Sequence, residues 1–134
     1  MTAGEIRVAI NTDQDIVTAR QKGRALATGL GFATGDATLI ATAISELARN
    51  IVSYARRGEV TLKIVDGPGR QGISVIASDD GPGIPDIRQA MRDGFSTSGS
   101  LGLGLPGVRR LMDEFEITSQ PGRGTIVAVK KWKQ

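Results

Sequence analysis

The sequence predicts an α+β fold: a two-layer α/β sandwich whose mixed, mostly antiparallel sheet of about five strands carries its helices on one face. Two observations predict the sheet: short runs of alternating apolar residues recur along the chain, and turns rich in Gly and Pro join two pairs of them into hairpins. A third predicts the helices, because longer stretches repeat apolar residues at helical spacing. Consecutive hairpins beside helices are typical of this architecture.

Composition narrows the function classes. The chain has 134 residues, which predicts one domain spanning 1–134, and only 4% of them are aromatic. The net charge is +3, from 17 basic and 14 acidic residues spread along the chain, so we expect no nucleic-acid partner. The absence of Cys and His excludes disulfides, Cys-ligated zinc and His-based catalysis. No apolar run approaches a membrane span or a signal peptide, so we expect a cytoplasmic protein with no membrane partner.

The N-terminal part predicts a strand followed by a helix. Ile6, Val8 and Ile10 alternate with other residues, and Asn11-Thr12-Asp13 then offers capping residues for a helix whose pattern ends at Gly29 and Gly31. The outer face of this helix carries three basic side chains, Arg20, Lys22 and Arg24. They form either a solvated face or a docking surface for an acidic partner.

A second helix begins near Thr34 and is largely apolar. Its buried stripe is predicted to contain Leu39, Ile40, Ala43, Ile44, Leu47, Ala48, Ile51 and Tyr54. Glu46 and Asn50 interrupt the apolar surroundings four residues apart and project from one face. They make either a structural or solvent-facing pair, or a pair that faces a ligand and a metal.

The middle of the chain predicts a hairpin and then a glycine-rich loop. Strands at 60–64 and 73–78 flank the turn at 66–69, and the second strand leads into Asp79-Asp80-Gly81-Pro82-Gly83. Glycine at these positions allows a sharp turn and a close approach of the main chain to a ligand. Asp80 is interpreted as a turn residue. A short helix is predicted at 87–92, and the polar, Gly/Ser-rich stretch 93–101 is predicted to be a mobile loop.

A second glycine-rich stretch precedes a third helix. Gly102-Leu103-Gly104-Leu105 leads into an apolar pattern formed by Leu105, Val108, Leu111 and Phe115. The unpaired N–H groups and positive dipole end of a helix N-terminus favour a phosphate. The chain then closes with a hairpin, 115–119 and 125–129, joined by the turn 120–124. Trp132, near the end of the last strand, is interpreted as a packing residue.

Four ordered motifs carry a resemblance to a known superfamily. Glu46-Leu-Ala-Arg-Asn50 resembles the N box, Asp79 to Gly83 the first glycine box, Gly102 to Leu105 the second, and Gly124-Thr125 the closing Gly-Thr of the gyrase, Hsp90, histidine kinase and MutL (GHKL) ATPases. The resemblance spans about residues 6–132 and implies the Bergerat ATP-binding fold. Residues 94–115 resemble more narrowly the anti-sigma-factor serine/threonine kinases, including the stressosome switch kinase.

The resemblance implies a serine/threonine protein kinase that uses ATP and Mg²⁺. Asp79 would accept a hydrogen bond from the adenine amino group, supported by Thr125, and Asn50 would be the metal ligand. Glu46 would be the catalytic general base. The glycine boxes would complete the cofactor-binding set: Gly81 and Gly83 would leave room for base and ribose, and Gly102, Leu103, Gly104 and Leu105 would bind the phosphates. The loop 93–101 would be a lid.

The resemblance also implies a partner-switching module in the stress response. The phosphate acceptor would be a serine or threonine of a STAS-domain antagonist or scaffold protein of the stressosome, and after release the kinase would engage a PP2C-type phosphatase or a sigma factor. The alternative is an anti-sigma factor that directly binds and sequesters a sigma factor. A histidine kinase's catalytic domain would need a phosphoacceptor domain on another chain, since no His is present. A gyrase- or chaperone-type ATPase would need a further domain to use the energy of hydrolysis.

Overall fold

The sheet has five strands, and each neighbouring pair is antiparallel. The computed structural model describes residues 5–84, 91 and 104–133. The strands are β1 (Ile6–Ile10), β2 (Gly58–Gly67), β3 (Arg70–Asp79), β4 (Glu114–Gln120) and β5 (Gly124–Trp132). Their order across the sheet is β1-β2-β3-β5-β4. Both predicted hairpins, β2–β3 and β4–β5, are formed, and the predicted α+β class is confirmed.

The described helices are α1 (Asp13–Leu30), α2 (Thr34–Asn50) and α3 (Gly104–Leu111). A single π-helical turn, Ile51–Ala55, continues α2 toward the sheet. The helix α2 contacts α1, α3 and the central strands, so it is the middle element of the helical layer. None of the helices in the described part of the chain is long and apolar enough to cross a membrane. The predicted helix at 87–92 and the predicted loop at 93–101 lie outside the described residues, apart from Met91.

The core lies between this helical layer and one face of the sheet. On β3, Val75 and Ala77 are buried, while Ile76 between them points to the other face and is 38% exposed. Strand alternation therefore places every second residue of the sheet toward the helices. The helices contribute a largely aliphatic set to the same core: Ile16, Ala19, Ala27, Ile40, Ile44, Leu47 and Val108. The low aromatic content of the sequence is thus matched by a core of Ile, Val, Leu and Ala.

The N-terminus of α1 is fixed by a capping box. The Asp15 carboxylate accepts hydrogen bonds from the main-chain N–H groups of Asn11 (2.8 Å) and Thr12 (3.0 Å). These two bonds hold the pKa of Asp15 below its usual value, and the bond from Asn11 has the larger effect. At the other end of α1, Gly31 takes a left-handed conformation with φ 94° and closes the helix as the sequence predicts.

Two sequence expectations about apolar residues are wrong. Tyr54, expected in the buried stripe of α2, is 45% exposed. The π-helical turn explains this, because its wider turn shifts the residues after Asn50 out of the α-helical register. Phe115, which the sequence analysis counted both in the apolar pattern of α3 and in the strand 115–119, lies on β4 alone, because α3 ends at Leu111.

Candidate functional site

Three polar side chains form a row at one end of the sheet. Asp79, Thr125 and Ser119 are direct neighbours in register on β3, β5 and β4. They continue the strand positions that are buried against the helices, so their side chains point toward the helical layer. Polar residues therefore replace the aliphatic core at this end of the sheet.

The Asp79 carboxylate is only partly used by the protein. Its Oδ1 accepts the N–H of Gly81 at 2.9 Å, which forms a tight turn at the start of the glycine loop. The hydrogen bonds among the described residues leave Oδ2 available for a donor from a ligand. A strand end and a main-chain bond thus fix a half-buried acceptor that can bind a hydrogen-bond donor such as an amino group.

Ser119, which the sequence analysis did not identify, connects this row to the glycine loop. Its Oγ accepts the N–H of Ile84 at 2.7 Å and lies 2.9 Å from the Thr125 Oγ1 and 3.2 Å from the carbonyl oxygen of Gly124. The available signal was periodicity: Ser119 occupies the strand position that apolar residues take earlier on β4.

The two glycines of the loop have a packing role in the structure. A Cβ on Gly81 would lie 2.6 Å from the Cβ of Ala55, and one on Gly83 would lie 2.5 Å from the carbonyl oxygen of Gln120. Protein atoms already fill the Cβ directions of both glycines, so the expectation that they leave room for base and ribose concerns the other sides of their main chain and stays a prediction. The glycines let the loop pack against the π-helical turn and the β4–β5 turn.

The β4–β5 turn is attached to the glycine loop by its main chain. The N–H of Gly122 donates to the carbonyl oxygen of Pro82 at 2.8 Å. Gly124 has φ +105°, and a Cβ there would collide with the main chain of Asp79. Only glycine fits such a conformation and contact, so Gly124 supports the site by holding β5 close to Asp79.

Glu46 and Asn50 lie on the same side of the sheet as Asp79. Glu46 is 9% exposed and Asn50, the last residue of α2, is half-buried. Beyond Asn50, Ile51 approaches Gly58 and Ala55 approaches Gly81, so the end of α2 rests on the strand ends around Asp79. The structure thus brings the N-box helix and the Asp79 row to one corner of the molecule.

Arg49 is a further polar residue at this corner that the sequence analysis missed. Its Nε is buried and has no hydrogen-bond partner within the described part of the chain. An unsatisfied buried donor costs on the order of 1–3 kcal/mol. Its position between Glu46 and Asn50 was visible in the sequence, but a helical Arg is ordinarily read as a surface residue.

The second glycine stretch is only partly within the described residues. Gly104 begins α3 with φ 59°, and the Leu105 side chain is 7% exposed in the core, so only the main chain of Leu105 could face a ligand. Gly102 and Leu103, together with the expected lid at 93–101, lie outside the described residues.

A shallow cleft of about 310 Å³ also borders Asp79. Its lining includes Glu59 and Ser78, which point to the sheet face away from the helices, and it includes neither Glu46 nor Asn50. Of the candidate residues at the corner, the cleft therefore includes Asp79 alone. Over residues 5–84, 91 and 104–133, no group of three or more His, Cys, Asp and Glu residues could hold a metal ion.

Sequence comparisons identify relatives across most of the chain. Residues 35–134 match the family model described as "Histidine kinase-, DNA gyrase B-, and HSP90-like ATPase". The chain is 58% identical over 125 residues to "Serine/threonine-protein kinase RsbT" of Bacillus subtilis (strain 168), covering 93% of this chain and 94% of that protein. It is 35% identical over 99 residues to "Anti-sigma F factor" of Thermoanaerobacter sp. (strain X514), covering 69% of this chain and 68% of that one.

A solved structure supports the fold. The crystal structure of the RsbU and RsbW domains of Rv1364c from Mycobacterium tuberculosis matches with a TM-score of 0.66 at 21% identity. The match covers 97% of this chain and 33% of that one. At this level of identity the likeness concerns the arrangement of helices and strands.

Proposed function

Because this chain belongs to the family of histidine kinase-, DNA gyrase B- and HSP90-like ATPases, we propose that it works as a partner-switching kinase on STAS-domain proteins. It is an ATP-using serine/threonine protein kinase, and the proposal adds its substrates and site residues. The observation that carries the assignment of the site is the corner where Asp79 and Thr125, at the ends of β3 and β5, meet the end of α2 with Glu46 and Asn50.

Asp79 and Thr125 would hold the adenine base. Oδ2 of Asp79, which no described residue uses, would accept the amino group of adenine, while Oδ1 remains bonded to Gly81. The Thr125 hydroxyl is the adjacent polar group in the row. The phosphates would lie toward the N-terminus of α3, where the main-chain N–H groups around Gly104 and Leu105 begin the helix; Gly102 and Leu103 are proposed to extend that site.

Asn50 would hold Mg²⁺ through its amide oxygen. The donor chemistry fits, because Mg²⁺ prefers oxygen ligands and usually keeps waters and substrate phosphates in its shell, so one protein ligand is sufficient. The lack of an acidic cluster in the described part of the chain agrees with such a site. When bound, the ion would neutralise charge on the phosphates.

Glu46 would act as the general base. The residue as a whole is only 9% exposed, and it lies on α2 one turn before Asn50. As the acceptor hydroxyl oxygen bonds to the γ-phosphorus, its proton passes to Glu46 and the bond from the γ-phosphorus to the β,γ-bridging oxygen breaks, releasing ADP. Phosphoryl transfer depends mainly on such positioning and on charge stabilisation.

The proposed acceptor is a serine or threonine of a STAS-domain antagonist or scaffold protein of the stressosome, and the proposed next partner is a PP2C-type phosphatase or a sigma factor. The high identity to a named serine/threonine kinase over 93% of the chain supports protein phosphorylation as the activity. Since ATP is a cytoplasmic metabolite, the proposal places the protein in the cytoplasm. The proposed unit of activity is a single domain spanning 1–134.

The relatives named anti-sigma F factor favour a second candidate function. In this alternative the protein would directly bind and sequester a sigma factor, and phosphorylation would be secondary. Pull-down of the full chain with a sigma factor and, separately, with a STAS-domain protein distinguishes the two. Retention of the sigma factor and not of the STAS-domain protein would favour the alternative.

Glu46→Gln tests the proposed mechanism. The full chain is incubated with labelled ATP, Mg²⁺ and a STAS-domain protein from the same source, and transfer to serine or threonine is measured. Because a positioned base contributes about 10²–10⁴-fold, we expect the variant to lose activity by that factor while it still binds ATP.

Glu59→Gln is the matched control for this experiment, since Glu59 lies at the same end of the sheet but on the face away from the helices. It should transfer phosphate at the wild-type rate. Full activity of Glu46→Gln would remove Glu46 from the role of base. Absence of transfer by the wild-type chain to any STAS-domain protein would contradict the proposed substrate class.

A further inference from the structure

The Ser119 hydroxyl connects the end of the glycine loop to the Thr125 side chain. It accepts the Ile84 N–H at 2.7 Å and contacts the Thr125 hydroxyl at 2.9 Å. Its neighbours two and four residues earlier on β4, Ile117 and Phe115, pack against the apolar core. A hydroxyl at this position therefore replaces a core side chain and has specific partners.

The number of hydrogen bonds available to Ser119 constrains Thr125. A serine hydroxyl has one proton and two lone pairs, and the Ile84 N–H takes one lone pair. The Ser119 proton can go to the Thr125 hydroxyl at 2.9 Å or to the Gly124 carbonyl at 3.2 Å. The shorter contact lies within the usual range for O–H···O bonds and the longer one lies outside it. When Ser119 donates to Thr125, the Thr125 proton is directed away from Ser119.

We infer that Ser119 is a positioning residue that selects adenine over guanine through Thr125. The inference rests on the proposed function, in which Asp79 and Thr125 hold the base. Ile84 N–H donates to Ser119, Ser119 donates to Thr125, and Thr125 donates to the base edge directly or through a water. Hydrogen bonds in such a chain strengthen one another.

This direction of donation matches adenine. The edge of adenine presents an amino group as donor and a ring nitrogen as acceptor, and guanine presents a carbonyl and an N–H in the corresponding places. Asp79 offers an acceptor, Oδ2, and Thr125, held by Ser119, offers a donor. Guanine would place its carbonyl against the Asp79 carboxylate and its N–H against the Thr125 proton.

The same serine also fixes the distance between the base site and the glycine loop. The Ile84 N–H ends the loop that begins at Asp79, and the Gly122 N–H bond to Pro82 holds the middle of that loop. Without the Ser119 hydroxyl, the Ile84 N–H and the Thr125 hydroxyl both lose a partner. The Thr125 hydroxyl can then rotate to present either its proton or a lone pair to the base.

The test compares Ser119→Ala with Ser119→Thr in the full chain. Dissociation constants for ATP and GTP are measured by calorimetry, with the thermal unfolding midpoint and the phosphotransfer rate at saturating ATP measured alongside. For Ser119→Ala we expect affinity for ATP to fall about three- to tenfold, the scale of one net hydrogen bond. The preference for ATP over GTP should fall by a similar factor, and Ser119→Thr, which keeps the hydroxyl, should recover both.

Ser74→Ala is the control, because Ser74 is a buried serine of the same sheet, 7% exposed, on the face away from the helices. It should leave the preference for ATP over GTP unchanged. If Ser119→Ala lowers the unfolding midpoint but leaves that preference intact, Ser119 is only structural and the inference is wrong. If the wild-type chain binds ATP and transfers phosphate while Ser119→Ala binds both nucleotides like wild type, only this inference fails. A wild-type chain that does not bind ATP overturns the proposed function as well.

Discussion

The two ends of the sheet use polar side chains in opposite ways. At the end formed by Asp79, Thr125 and Ser119, the hydrogen bonds within the described residues leave a carboxylate oxygen unused. At the other end, Trp132 donates its Nε1–H to Glu114 and its main-chain N–H to Asp113, both at 2.7 Å. The polar groups at the Trp132 end therefore have partners within the protein, whereas the Asp79 end keeps an acceptor that the proposed nucleotide could use.

The Trp132 end is closed by packing as well as by hydrogen bonds. The indole is 8% exposed and lies against Gly67 and Gly72, and the guanidinium of Arg70 covers it at 3.9 Å from the ring centroid. Such a cation–π contact contributes about 0.5–1 kcal/mol at an exposed site. This supports the interpretation of Trp132 as a packing residue and indicates that its environment is structural.

Trp132→Ala should give the largest effect and should act on stability alone. Truncating a buried Trp typically lowers the free energy of unfolding by about 3–5 kcal/mol. Urea unfolding followed by circular dichroism measures the loss, because the variant lacks the only Trp of the chain. ATP affinity of the folded fraction should match wild type.

Trp132→Phe keeps most of the packing and removes the Nε1–H bond to Glu114, so it should lose only about 1 kcal/mol. Loss of ATP binding in this folded variant would show that the two ends of the sheet are not independent.

Asp79→Asn should give the next largest effect, and this effect should be on ATP binding rather than on stability. One amide oxygen cannot replace both carboxylate oxygens, and the amide NH₂ would face the amino group of adenine. Since a hydrogen bond to a charged group contributes about 1.5–3 kcal/mol, the dissociation constant for ATP should rise about 10- to 100-fold. Calorimetric titration with ATP measures this change.

Asp113→Asn is the matched substitution at the other end, where the carboxylate accepts the Trp132 N–H at 2.7 Å and pairs with Lys131 at 3.7 Å. It should lower the unfolding midpoint and leave ATP affinity unchanged. The comparison of the two ends fails if Asp79→Asn destabilises the fold while ATP affinity stays the same.

Asp15 should give the smallest effect. It refines the comparison because it is a carboxylate near the Asp79 end whose hydrogen bonds are both made to main-chain N–H groups of the protein. The main-chain N–H groups of Asn11 and Thr12 lower its pKa from 3.8. A lowered pKa in the folded state means that the stabilisation is fully present above the unfolded-state pKa and is lost as pH falls through the folded-state value.

The unfolding midpoint of Asp15→Asn should therefore lie a few degrees below that of wild type at neutral pH, with the gap closing as the pH falls through the lowered pKa of Asp15. Asp13→Asn, in the same first turn but without the two main-chain bonds, is the control. A gap that stays constant with pH would show that the Asp15 charge does not contribute through its cap.

Sequence patterns predicted most of the fold, and the two residues that were placed wrongly each have a local explanation. The alternation in β1 and the capping residues and stop of α1 depend on near neighbours, so they were readable in the chain. Tyr54 was misplaced because a π-helical turn changes the helical register without a distinct sequence signal. Phe115 was counted both in α3 and in the strand that follows, because an apolar residue fits helical and strand periodicity equally.

In the candidate site, too, some residues were predicted from the sequence and others were missed. Glu46, Asn50, Asp79 and Thr125 stand in the ordered motifs that carry the resemblance to the GHKL ATPases, and that resemblance implied a nucleotide site. Ser119 and Arg49 were missed, since a serine at a strand end and an arginine on a helix are ordinary surface residues until their partners are known.

Residue types and their order set the chemistry available to this protein: an aliphatic core, no thiol or imidazole, and motifs typical of an ATP-using kinase. The packing of the folded chain established how the glycines and Ser119 are used. Gly81 and Gly83 accommodate protein atoms, and Ser119 joins a loop to a strand 35 residues away in sequence. The reason is physical: a residue type fixes which bonds a side chain can make, and only the packing of distant segments fixes which partners it meets.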